Sequence, residues 1–375
     1  MKVALVHDHL NQIGGAERVV LSMHRLFPDA PLYTLVHDPR KIKNFFGDLN
    51  IRTSFIQKLP FSHRRLRWYL SLMPTAIESF DLSDYDVILS SASAFGKGAI
   101  APPRAVHICY CHTPTRYLWS DANTYLSEMG VSGITKGVLD IILNRIRMWD
   151  QLAAQRVDYF IANSRFIQER IRRYYNRQST VMYPPVDVQN YPQLPERKPY
   201  YVLLSRLRPY KRVDLAIKAF NRLGMRLVIA GDGEERSKLA KLAGPTITFA
   251  GDVTEQEKKK LFAGAQGFIN PQEEDFGITA VEAMAAGTPV IAFGAGGTLE
   301  TVIEGSTGLF FEEQTWQCLA DAVIRAQRHR FDHELIRRHA QTFSTARFEQ
   351  ELKAFVETAH LARLEGAESA RARVV

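Results

Sequence analysis

The sequence predicts an α/β chain of two doubly wound, Rossmann-like domains facing one another across a cleft. Three observations lead there. At 375 residues, 46% of them apolar, the chain exceeds one ordinary core and has material for two. Short apolar runs of strand length alternate with longer helical patterns, the rhythm of parallel sheets. A stretch with five prolines, YPPVDVQNYPQLPERKPY, separates one such series from a second.

The first series comprises VALVH, AERVVLSMHRLF, YDVILSS, AVHICYC and VDYFIANS, followed by RFIQERIRRYY. The second runs through YYVLLSR, RVDLAIKAFNRL, MRLVIAG, ITFAG, EQEKKKLFAGA, GFINP, GITAVEAMAAG, PVIAF and TGLFF. These place an N-terminal domain over 1–185, a linker over 186–199 and a second domain over 200–345. Residues 346–375 read as an amphipathic helix that crosses back to the N-terminal domain and ends in a frayed tail. Ligands of such sheets bind at the carboxyl ends of the strands, so facing domains put the site between them.

A net charge of +8 favours an anionic partner without choosing among nucleotides, nucleic acid and phospholipid. Nucleic acid is disfavoured because no reading module accompanies the charge. Three cysteines, with Cys109 and Cys111 alternating along a strand, make no disulfide framework and suit a reducing compartment. The opening MKVALVHDHL lacks a signal-peptide pattern, and no apolar run is long enough to span a bilayer. The expectation is a soluble cytoplasmic protein whose membrane contact, where it exists, is peripheral on the inner face.

The run PQEEDFGITAVEAMAAGTPVIA carries the most chemistry. A strand ends in an acidic loop, and a nearly all-apolar helix runs from near Gly277 to Gly287. Glu282 sits in that helix as a lone carboxylate, which is expensive without a partner. A core arginine, a helix N-terminus and the vicinal hydroxyls of a ribose all qualify. Glu274 lies in the loop beside the backbone N–H groups of Phe276, Gly277 and Ile278, where a helix N-terminus attracts anions. A sugar diphosphate over this loop would put Glu274 at the sugar and Glu282 at the ribose.

Upstream, YYVLLSRLRPYKR holds Arg206 and Lys211 five positions apart across a strand-to-helix turn. Arginine offers a planar fork and lysine a compact charge, so together they can neutralise a leaving diphosphate without a metal. A solvated basic turn is the competing explanation, and Arg208 and Arg212 are read that way.

Glutamate, seven residues, glutamate, with FG inside and EAMAxGxPVIA following, resembles the signature of retaining glycosyltransferases of family 4, which have the GT-B architecture. The resemblance covers nearly the whole chain. It implies that Glu274 contacts donor-sugar hydroxyls, that Glu282 holds the ribose and that Arg206 and Lys211 grip the diphosphate. By the same resemblance, the loop Gly251, Asp252 and Val253 packs beside the nucleotide base, Gly14 and Gly15 face the donor phosphates and His112 contacts the sugar near its primary hydroxyl. Arg116 and Tyr117 follow His112 as acceptor contacts. The stretches CHTPTRYLW and GGAERV look most like bacterial polysaccharide and O-antigen mannosyltransferases, which suggests GDP-mannose and a lipid-linked or polysaccharide acceptor.

No metal and no separate cofactor are expected. Asp84 and Asp86 mimic a metal-binding DxD but precede a strand with no partner motif, and His7, Asp8 and His9 alternate between faces. Basic and aromatic residues mix over 63–70 and 170–177, which suits an anionic membrane surface and a solvated helix face equally. A double displacement needs a second carboxylate about 5 Å from the first. None stands out in the sequence, so the resemblance implies front-face attack. A nucleotide-sugar epimerase and a non-catalytic nucleotide-sugar-binding subunit are the alternatives.

Overall fold

The computed structural model describes residues 1–47, 49–122, 133–192 and 196–372, with the side chains of 43, 44, 134 and 367–372 left undescribed. The chain forms two compact units, Met1–Pro185 with Phe348–Val375, and Val186–Arg347.

The first unit carries a seven-stranded sheet in the order β3-β2-β1-β4-β5-β6-β7. Its strands are β1 (Val3–His7), β2 (Leu32–Thr34), β3 (Ile51–Thr53), β4 (Val87–Ala92), β5 (Val106–Cys111), β6 (Tyr159–Ala162) and β7 (Ser179–Val181). All pairings are parallel. The central strands β1, β4 and β5 are buried at every residue, which is why they read as mostly apolar runs without strict alternation. Within the helix Thr345–Ala372, the residues Phe348, Leu352, Val356 and Ala359 recur at helical spacing and join the core formed by Val3, Leu5 and Tyr110.

The second unit has a six-stranded sheet in the order β10-β9-β8-β11-β12-β13, again all parallel. Its strands are β8 (Tyr201–Leu204), β9 (Leu227–Ala230), β10 (Ile247–Gly251), β11 (Gly267–Asn270), β12 (Val290–Phe293) and β13 (Gly308–Phe311). The helix Ile278–Ala285 is buried from Ala280 onward.

One expectation needs correction. The segment expected as a linker is part of the second unit. Val186 and Val188 are buried, the Val186 N–H donates to the Phe343 carbonyl at 3.1 Å, and the Arg197 guanidinium donates to the carbonyls of Ala265 (2.6 Å) and Gly287 (2.7 Å). Proline-rich composition excludes helix and strand but not packing; here an arginine satisfies carbonyls that the helix Ile278–Ala285 leaves open at its end. In the basic segment near residue 65 a 3₁₀ stretch, Leu66–Leu72, precedes the short helix Met73–Glu78, with Pro74 in its first turn.

Candidate active site

In the second unit the acidic loop follows β11 and ends at Gly277, whose φ of +94° caps the helix Ile278–Ala285. A backbone of this hand favours glycine. The loop rests on a second glycine-rich turn, Gly294–Gly297, at the end of the adjacent strand β12. The Gly297 N–H donates to the Glu274 carbonyl at 2.7 Å, and a Cβ on Gly297 would stand 2.4 Å from the Asp275 carbonyl oxygen. The sequence reading passed over this turn. Its one signal was a glycine pair at a strand end beside the acidic loop.

Glu274 accepts a hydrogen bond from Lys211 Nζ at 2.8 Å through Oε1. The side chains keep 21% and 15% of their exposure, so the pair is partly shielded yet open to a ligand. Gln272 Nε2 donates to the same oxygen and to Asn270 Oδ1 at 2.6 Å, which fixes the carboxylate from behind. Two residues from separate motifs are thus joined at the ends of the adjacent strands β8 and β11.

Arg206 is exposed just past β8, in a turn laid over Gly231 and Gly233. Gly231 has φ +107°, and a Cβ there would meet the Ser205 carbonyl oxygen at 2.1 Å. Gly231→Ala is therefore expected to destabilise by about 3 kcal/mol or more and to displace the Arg206 turn, as urea denaturation would show. An unchanged midpoint would contradict this packing.

Glu282 is 3% exposed, and its partner is a lysine. Lys258 Nζ lies 2.7 Å from Glu282 Oε1 and 2.7 Å from Glu255 Oε2. Lys258 stands in the helix Glu255–Gly264, opened by a Thr254–Glu257 capping box directly after Gly251–Val253. Phe276 is buried edge-to-face against Phe343 at 5.6 Å, so its side chain packs inward while its backbone lies in the loop. Arg208 pairs with Glu234 at 3.7 Å, and Arg212, at φ +50°, pairs with Asp214 at 3.4 Å.

In the first unit Gly14 precedes the helix Gly15–Leu26, from which Glu17 turns inward. His7 Nδ1 donates to the Ser91 carbonyl at 3.0 Å, and Nε2 lies 3.8 Å from Glu17 Oε1. Ser91 Oγ is 2.8 Å from Nε2 of His112, which follows β5 directly. Asp8 accepts the backbone N–H groups of Ser93 (2.7 Å), Ala94 (2.9 Å) and Gly96 (2.6 Å), which anchor the segment after β4. Arg116 and Tyr117 lie in a 3₁₀ turn, Arg116–Leu118, with Arg116 Nε 4.0 Å from Asp121. Asp86 binds the Lys2 N–H at 2.7 Å. Sequence reasoning also missed Lys97, 1% exposed and ion-paired with Asp150, which accepts from Thr115 Oγ1 and Trp119 Nε1 at 2.8 Å each.

Burial pushes the His112 imidazole down to about 4, helped by the neighbouring His7, and burial pushes His107 to about 3. For His7, burial works downward, but Glu17 and Asp8 outweigh it and raise the group. The signs decide the acid response. His107 and His112 stay neutral in the fold while the unfolded chain takes up protons near its ordinary value, so acidification from about pH 6.5 toward pH 4 removes stability. His7 has the opposite sign: its contribution is full below the unfolded value and fades as pH rises through its raised value. With two deeply lowered groups against one raised, urea midpoints are expected to fall across that window, and His107→Gln should flatten the slope. A midpoint that rises on acidification would contradict this balance.

A family model described as Glycosyltransferase Family 4 matches residues 13–190, and one described as Glycosyl transferases group 1 matches residues 188–342. The chain belongs to the family 4 glycosyltransferases. This glycosyltransferase is 35% identical over 141 residues to a GDP-mannose-dependent alpha-mannosyltransferase of Mycolicibacterium smegmatis, covering 36% of this chain and 37% of the relative. It is 37% identical over 144 residues to a GDP-mannose-dependent alpha-(1-6)-phosphatidylinositol monomannoside mannosyltransferase of Mycobacterium tuberculosis, covering 34% and 37%. The matches thus span little more than a third of these curated relatives. Among solved structures, the glycosyltransferase resembles Anabaena HepE in complex with UDP and glucose, at TM-score 0.72 and 20% identity over 95% of this chain and 99% of that one. The lipopolysaccharide outer core galactosyltransferase WaaB aligns at TM-score 0.66 and 16% identity over 95% and 100%. The fold is GT-B, with two parallel-sheet α/β domains. Among the described residues, no helix is long and apolar enough to cross a membrane.

Proposed function

We propose that this glycosyltransferase moves a hexose, with retention and without a metal, from a nucleotide diphosphate sugar to a hydroxyl of a lipid-linked or polysaccharide acceptor in cell-surface glycan synthesis. The observation that carries the reading is the Lys211–Glu274 pair at 2.8 Å, at the carboxyl ends of adjacent strands beside the Arg206 turn. Mannose from GDP-mannose is favoured by the two mannosyltransferase relatives.

In this reading Arg206 and Lys211 take the charge that develops on the departing diphosphate, and Glu274 binds donor-sugar hydroxyls. The backbone at Phe276, Gly277 and Ile278 meets the phosphates, Val253 the base and Glu282 the ribose. Gly14, Gly15 and His112 are assigned to donor binding, and Arg116 and Tyr117 to the acceptor. The bond from the anomeric carbon to the diphosphate oxygen breaks. The acceptor oxygen bonds to that carbon on the same face, and its proton passes to the leaving diphosphate. His112, held neutral, binds sugar without adding charge.

Anionic membrane contact at the inner face is proposed chiefly through 63–70, where Trp68 is 62% exposed with the Arg65 guanidinium 4.3 Å above its ring. Segment 170–177 contributes less. Arg172 and Arg173 are exposed, but Tyr175 is buried and Arg177 donates to the carbonyls of Ala154 (2.9 Å) and Val157 (2.5 Å).

The test is transfer from radiolabelled GDP-mannose to a bacterial lipid extract in EDTA, with the product's anomeric configuration read by NMR. An α-linked mannoside formed despite the chelator is expected. A β linkage, or activity restored only by a divalent ion, would overturn the reading.

A further inference from the structure

We propose that Lys258 is a positioning residue for donor recognition, holding the Glu282 carboxylate in the orientation that meets the nucleotide's ribose. The proposal rests on the ribose reading of Glu282 given above.

Glu282 is 3% and Lys258 5% exposed, and their 2.7 Å contact is buried. A carboxylate so enclosed needs a donor beside it, and one fixed in place is ready to accept from a ligand's hydroxyls. Lys258 is that donor and, by engaging Oε1 at 2.7 Å, fixes the carboxylate's rotation. The two helices so joined also open on the two loops in question. Glu255–Gly264 follows Gly251–Val253, and Ile278–Ala285 follows the Glu274 loop. One buried ion pair therefore sets the spacing between the loop assigned to the base and the loop assigned to the sugar diphosphate. Glu255, Lys258's second partner, has its side chain 63% exposed and lies at the solvent end of the pair. The lysine's ammonium is thus shared, with Glu282 on the inner side.

Calorimetric titration of the full chain with GDP and 2′-deoxy-GDP, and with UDP and 2′-deoxy-UDP, tests this. The unmodified protein is expected to bind the ribonucleotide about tenfold or more tightly than its 2′-deoxy counterpart, the worth of a hydrogen bond to a charged group. Lys258→Met should bring that ratio close to one, and Lys258→Arg should restore most of it. Because Lys258→Met leaves a buried charge, the double variant Lys258→Met/Glu282→Gln, which removes both charges, is measured beside it and should also show a ratio close to one. A merely structural lysine would lower affinity for both nucleotides equally and leave the ratio intact, which would overturn the proposal. An unmodified protein that does not discriminate the 2′-hydroxyl would instead defeat the ribose reading of Glu282, and the role of Lys258 with it.

Discussion

Lys211→Met is expected to lower the transfer rate by about 10²- to 10³-fold, the usual loss when one preorganised donor to a developing negative charge is removed. Lys211 is already ion-paired with Glu274 at 2.8 Å, so it is positioned before the donor arrives and loses little freedom on binding. The effect should fall mainly on kcat, because charge on the diphosphate grows toward the transition state. Lys211→Arg should recover only part of the rate, since a planar fork does not reproduce a point charge. Steady-state kinetics of the two variants, with circular dichroism to confirm the fold, decide it. A Lys211→Met enzyme within threefold of the original rate would remove the lysine from the chemistry.

The largest expected effect on stability lies in the first unit. Lys97 and Asp150 are each 1% exposed, and the lysine also donates to Ala94 O and to Thr115 Oγ1 at 3.3 Å. Removing one member of a buried pair strands the other's charge, so Lys97→Met is expected to cost about 3–5 kcal/mol. For a chain with domains of this size, that lowers Tm by on the order of 10 °C. Lys97→Met/Asp150→Leu removes both charges and should recover much of the loss. If the single variant melts with the original protein, the pair is not what holds the segment before β5 against the helix Gly133–Arg156.

The contrast between these sites shows what the sequence made legible. The βα alternation was readable because strands buried on both faces are mostly apolar, as β1, β4 and β5 are apart from the buried His7, Ser90, Ser91 and His107. The acidic loop and the Arg206–Lys211 turn were readable because glycines and charges at strand ends have few structural uses. Their joining by the Lys211–Glu274 contact required the sheet order, which places β8 beside β11 although two strands intervene in sequence. Lys258 was not legible in EQEKKKLF, which reads as a solvated charged face; only its spacing of four from the buried Phe262 hinted at an inward position. Lys97 gave no signal, since SAFGKGAI has no periodicity and its partner is 53 residues away. The linker was misjudged because composition reports local conformation and not whether a guanidinium finds carbonyls to bind.

The central claim, that the second unit holds a nucleotide diphosphate sugar through a metal-free basic turn, is tested most directly by a thermal-shift panel. GDP-mannose and UDP-, ADP- and dTDP-sugars would be compared with NAD as control, each with and without EDTA. A ligand at about 100 times its Kd stabilises by about 2.7 kcal/mol, enough to read. The account predicts a shift from one nucleotide sugar, GDP-mannose first, that EDTA leaves unchanged and that Lys211→Met reduces. No shift from any sugar nucleotide, or a shift that EDTA abolishes, would contradict it.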